Sequence, residues 1–191
     1  MSGLTTTQLK AISTTNLGTL QTTQLNGLSS TQLAGFTSTQ IGAIGTTAFV
    51  GLSSGQLSGL TTTQLKGVNT TSMGLLTTSQ LNGLSSTQLG GFTSTQLNNI
   101  VAGTVTGGLD SAQLTGLTTT QIAGLNTTFV RALSSGQLSG LTTTQPKSLN
   151  TTAVAAITTS QLNGLSSTQL GGLTSTQIGA IGTTGFAGIS S

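Results

Sequence analysis

Residues 28–43 read LSSTQLAG-FTSTQIGA, two eight-residue units whose reading decides the fold. In each, an apolar residue (Leu28, Phe36) precedes Ser29 or Thr37, and Gln32 or Gln40 follows three residues later. A second apolar residue (Leu33, Ile41) comes next, and the unit closes on Gly35 or Ala43. Ser or Thr with Gln three residues on is the capping box of a helix start: the hydroxyl accepts from a free N–H and the Gln side chain reaches back to the cap's own N–H. The two apolar residues then stand at the paired positions that staple the first turn.

Working outward, rows of eight hold register over residues 4–99, twelve octads. Nine residues, 100–108, break the rhythm as an irregular junction that includes a Gly-rich stretch. The register resumes at Leu109 for ten more octads to Gly188, and residues 189–191 begin a further row. The chain therefore reads as one array in two parts, 4–99 and 109–191. Position 1 is apolar in all 22 rows and position 6 in 21, Pro146 being the exception. Position 2 is Ser, Thr, Asn, Asp or Gly everywhere except Gln21, and position 5 is Gln in 16 rows. Thr5, Ser29, Asn69, Asp110, Asn126 and Asn150 are representative predicted caps. Position 8 is mostly Gly or Ala, which suits a helix end or a close approach of backbones.

Apolar gaps of five and three exclude one continuous helix, because eight residues overshoot two turns by about 80°. They also break the alternation of a plain strand. The predicted fold class is all-α: a solenoid or superhelix of short capped helices, one per octad. The competing reading is a β-solenoid, with Thr and Ser on strands, Gly at corners and Gln in ladders. Pro146, at the fourth helical residue, predicts one irregular octad. A lone octad cannot fold: two buried aliphatic side chains contribute about 3 to 6 kcal/mol and a cap about 1 kcal/mol. Ordering eight backbones costs on the order of 8 to 16 kcal/mol. Successive repeats must stack.

Rows without Gln at position 5 begin at Ile12, Ile44, Val68, Leu125, Leu149 and Ile181. With the broken row at Ile100 they recur on average about every 28 residues, or 3.5 octads, which predicts about 3.5 octads per coil with these rows along one side. That side is the candidate assembly face, with Phe49, Met73, Phe129, Val154 and Phe186 as its residues. The bland reading is that these rows pack around local corners.

Composition removes most chemistry. Thr (43), Ser (24) and Gly (28) make half of the 191 residues, charged residues are 3%, and there is no His, Cys, Trp or Tyr. Asp110 is the sole acidic residue. No acid–base pair, activated nucleophile or metal-ligand set can be assembled, so neither an enzyme nor a cofactor is expected. A net charge of +3 is too dilute for nucleic acid, and Lys10, Lys66, Arg131 and Lys147 all sit at position 7 as solvated charges. Asn69, Asn126 and Asn150 each head an N-x-T sequon, but a cap followed by Thr-Thr generates that pattern. No apolar run is long enough to span a membrane and no signal peptide is recognisable at the N-terminus.

The octad L-[ST]-[ST]-x-Q-[LI]-x-[GA] resembles the Thr/Gln-rich repeats of very large bacterial surface and secreted proteins labelled haem utilisation or adhesion proteins. Its rhythm is also similar to that of bacterial ice-nucleation octads, through Ser30 to Leu33, without their Tyr. The resemblance implies an extracellular or cell-surface protein; haem is not carried over, since Met73 is at most a weak ligand. The first and last rows look like internal ones, so the expected function is structural, with self as partner: head-to-tail stacking into a filament or surface layer. The alternatives are an ice- or carbohydrate-binding surface of Thr rows and a spacer within a giant polypeptide.

Overall fold

The protein was analysed as a computed structural model, which describes residues 1–100, 104 and 107–188. It is all-helical, 62% helix, with 21 short helices and no strand among the described residues. The predicted junction is described only at 100, 104, 107 and 108, and the last row, 189–191, lies outside the described residues.

The helices start where the capping residues stand. Ser29 is extended (φ −71°, ψ 160°), accepts from the Gln32 N–H, and is followed by the helix Ser30–Ala34. Thr37 repeats the arrangement ahead of Ser38–Ala43. Each α-helix among the described residues has only four to six residues, too few to persist alone. The chain then turns so that the next apolar residue starts another row. No described residue has a positive φ, so the glycines at position 8 are not left-handed caps; their role is steric and is described below.

Positions 1 and 6 form one continuous core, with Leu33, Leu81 and Leu89 of position 6 fully buried and Leu28, Phe36 and Leu60 of position 1 nearly so. Packing follows a fixed interval. Thr14–Gly18 lies against Ser38–Ala43, which lies against Thr62–Gly67, and Thr151–Ala155 lies against Ser175–Ala180. Each partner is three octads away. Pro146 has the expected effect: a 3-10 turn, Pro146–Ser148, replaces the α-helix of its row.

Candidate functional site: the surface between repeats

All six predicted caps accept the hydrogen bond assigned to them. Thr5 Oγ1 accepts from Gln8 N at 3.3 Å and Ser29 Oγ from Gln32 N at 3.1 Å. Asn69 Oδ1 accepts from Ser72 N at 2.8 Å and Asp110 Oδ1 from Gln113 N at 2.6 Å. Asn126 and Asn150 accept from Phe129 N and Ala153 N, both at 2.8 Å. Asp110 is thus one more cap.

The Gln of the capping box has a second function that its local motif does not announce. Its Oε1 accepts from the cap, as Gln64 does from Thr61 N at 2.9 Å. Its Nε2 points the other way and donates to main-chain carbonyls where one earlier row ends and the next begins: Gln64 to Leu33 O at 2.9 Å and Phe36 O at 2.7 Å. Gln96 does the same to Leu65 O (2.9 Å) and Val68 O (2.6 Å), and Gln177 to Lys147 O (3.0 Å) and Leu149 O (2.7 Å). One acceptor lies 28 residues back from the early Gln32 through to Gln177. At Gln113 and Gln121, whose bonds reach across the junction, that separation is 29. The nine-residue junction therefore lengthens one interval by one residue and the bonding resumes unchanged, Gln137 donating to Leu109 O. Gln145 keeps both halves of the arrangement, accepting from Thr142 N and donating to Leu117 O, although Pro146 has removed its α-helix.

These amides are buried: Gln64, Gln96, Gln145 and Gln161 are each 3% exposed. A buried carboxamide requires partners for its acceptor and its donor, and here one faces its own octad and the other the earlier row. Gln8 and Gln24 bond only within their own octads.

The small residue at position 8 completes the contact. A Cβ on Gly91 would lie 2.8 Å from both Cα and Cβ of Thr62, and one on Gly164 or Gly83 would lie 2.8 Å from Cβ of Ser135 or Ser54. At these sites the neighbour is the third residue of an octad 29 residues earlier, and at Gly116 and Gly124, beyond the junction, 30 residues earlier, so glycine is required there for close approach between repeats.

Rows without Gln use substitutes or none. Asn150, besides capping, donates Nδ2 to Ala123 O and Leu125 O, both at 2.9 Å, and Arg131 Nε donates to Ala156 O at 3.2 Å. Asn98, in the row of Gln96, donates Nδ2 to Gly124 O at 2.8 Å and accepts at 2.9 Å from the N–H of Asn126, which caps a row without Gln. Ser72, fully buried, has a hydroxyl with no hydrogen-bond partner.

The candidate assembly face needs correction. Phe49, Met73, Phe129 and Val154 are between 0 and 2% exposed and belong to the interior. Phe49, Met73 and Val154 stand at position 6, which is buried or nearly so in every row but the last one, that of Phe186, and Phe129, replacing Gln, fills the space a carboxamide occupies elsewhere. Only Phe186 is substantially exposed, at 47%. The sequence reading also missed the donor half of Gln, for which one signal exists: the box accepts Glu as readily as Gln, yet the chain contains no Glu.

No helix among the described residues is long and apolar enough to cross a membrane. No family model matches the chain, and no curated protein or solved structure matches it.

Proposed function

We propose that the chain is a structural repeat protein, a superhelix of about 3.5 octads per coil, that self-assembles head to tail into an extracellular filament or surface layer. The observation that carries this reading is the Gln Nε2 bond to a carbonyl 28 residues earlier, since 28 residues are 3.5 octads. Contact between repeats uses groups that recur along the array: main-chain carbonyls in every octad, a Gln carboxamide in 16 of 22 and a closing glycine in 13 of 22. A coil of one copy is thus complementary to a coil of another, which is the geometry of open, heterologous assembly. The resemblance to bacterial surface repeats supports location outside the cell. Electron microscopy and sedimentation of the 191-residue chain at rising concentration test the proposal. Particles that lengthen with concentration are expected; strictly monomeric particles at about 100 μM and above refute it.

One observation favours a second reading, an ice- or carbohydrate-binding surface. The fourth octad position, Thr in 17 of 22 rows, is exposed wherever its exposure is described. Thermal hysteresis of the purified chain tests the ice version.

A further inference from the structure

Three octads close on Asn-Gly in the same surroundings: residues 24–28, 80–84 and 161–165 each read QLNGL. Asn26, Asn82 and Asn163 are the only Asn residues in the chain followed by Gly, and all three are exposed. The pair carries a reaction of its own. The glycine nitrogen can close on the Asn side-chain Cγ, because no Cβ obstructs the approach and glycine reaches the backbone conformations that the ring needs. At a helix end that nitrogen is tied by its N–H bond, so the reaction waits on local opening of the last turn. Identical flanking residues give the three sites the same intrinsic reactivity. Any difference between them in the folded chain comes from how each is held.

Asn163 is held most firmly. Its Nδ2 donates to Gly188 O at 2.9 Å, and Gly164 lies within the helix Thr159–Gly164, packed against Ser135. Gly83 is closed in the same way by Ser54. Gly27 is not: it is exposed where Gly83 and Gly164 are half-buried, and the nearest atoms to its Cβ position are main-chain oxygens of its own octad, at 3.5 and 3.6 Å. The N–H groups of Gly27 and Gly83 reach Thr23 O and Ser79 O at the same 3.3 Å, so packing decides between them. The Asn26 side chain has no hydrogen-bond partner among the described residues, and the bond from Gln56 Nε2 to Asn26 O is long, at 3.4 Å. Asn26 also borders a groove of about 590 Å³ with Ser29, Ser30 and Gly55. Gly55 stands at position 4, where most rows have Thr, so no side chain there covers the groove from water.

We propose that Asn26 is a site of spontaneous deamidation in the folded protein. The Gly27 nitrogen loses its proton and bonds to Asn26 Cγ; the Cγ–Nδ2 bond breaks, and Nδ2 departs with a proton as ammonia. Water then opens the cyclic imide, giving Asp where it breaks the bond at Cγ and isoaspartate where it breaks the bond at the main-chain carbonyl carbon. Water is the sole co-reactant. The product places a carboxylate on the last residue of the helix Thr22–Asn26, against the negative end of its dipole. The isoaspartate form also inserts a methylene into the main chain just ahead of Leu28, whose carbonyl accepts from Gln56 Nε2 at 2.8 Å. Modification therefore loosens a contact between repeats, whatever role the array serves.

The test uses the intact chain, incubated at neutral pH and body temperature, folded and in urea. Peptide mapping by mass spectrometry quantifies Asp and isoaspartate at each of the three Asn residues. In urea the three sites should react at rates within about twofold of one another, whereas in the folded chain Asn26 should react at least about tenfold faster than Asn163 and ahead of Asn82. Gly27→Ala, whose Cβ meets nothing closer than 3.5 Å, should slow Asn26 at least about tenfold, with circular dichroism and the other two sites unchanged. Equal rates at the three sites in the folded chain, no product at Asn26, or a Gly27→Ala chain that reacts as fast as the parent overturns the inference.

Discussion

Replacing Gln64 by Met keeps chain length and approximate volume while removing both polar ends of the side chain. In the folded protein Gln64 is 3% exposed. It accepts from Thr61 N at 2.9 Å and donates to Leu33 O at 2.9 Å and Phe36 O at 2.7 Å. Leu33 O retains the Phe36 N–H at 3.1 Å, so the groups left unmet are the Thr61 N–H and the Phe36 carbonyl. An unsatisfied buried group costs about 1 to 3 kcal/mol, which gives about 2 to 6 kcal/mol for the pair. Gln8 is the matched control: it makes the same bond within its box, accepting from Thr5 N at 2.9 Å, but it is exposed and reaches no earlier row. Water replaces the lost partner there, and Gln8→Met costs under about 1 kcal/mol. Urea unfolding followed by circular dichroism separates the two. With a slope of about 2 kcal/mol per molar, Gln64→Met lowers the midpoint by roughly 1 to 3 M and Gln8→Met by well under 1 M. Equal shifts at the two sites would refute the claim that the amide donor holds successive repeats together.

Two glycines, Gly91 at position 8 and Gly55 at position 4, give predictions of opposite sign. Gly91→Ala forces Thr62 away and destabilises by about 1 to 3 kcal/mol, whereas Gly55→Ala, inside Ser54–Ser58 with only Ser53 Oγ as near as 4.0 Å, stabilises by about 0.8 to 1.0 kcal/mol; thermal melts of both check the sign. Asp110→Ala removes the acceptor for Gln113 N and costs about 1 kcal/mol, read from the same melts; no change at all would disconnect capping from stability. Gln64→Glu makes stability depend on pH. The buried carboxyl faces the Leu33 and Phe36 carbonyls, and both burial and those oxygens raise its folded pKa above the unfolded value of about 4.3. Below that value both states are neutral; above it the unfolded chain ionises first, so stability falls as pH rises until the folded pKa is passed. The melting temperature of Gln64→Glu relative to the parent should drop between pH 4 and pH 7, and a constant difference refutes the placement of its carboxyl.

What was legible in the sequence is what a single octad contains. Ser29, Gln32 and the pair Leu28 and Leu33 satisfy three local requirements of one helix start, and local requirements leave local spacing. The contacts between repeats were less legible because they involve main-chain carbonyls, which every residue has and no sequence marks. Gly91 could be read as a helix end or a close approach, and only the position of Thr62 decides between them. The face assigned to Phe49 and Met73 failed because unusual composition in a row was taken as exposure, while position 6 is an interior column, buried or nearly so in every row but that of Phe186. The surface of those rows lies in Thr47, Thr71 and Leu75, which composition did not single out.

The absence of Glu from position 5 follows from how the repeats are joined. Glu at the third helical position would complete the same capping box and add about 0.3 to 1 kcal/mol through the helix dipole. The chain forgoes that gain at all sixteen positions where it has Gln. A carboxylate could accept from Thr61 N as Gln64 does, but it has no proton to give to Phe36 O, and it would be buried facing carbonyl oxygens. Repeated once per Gln octad, Glu would also bury a series of like charges. The local motif tolerates two residues and stacking admits one, so the uniform choice of Gln records a constraint acting between octads rather than within them.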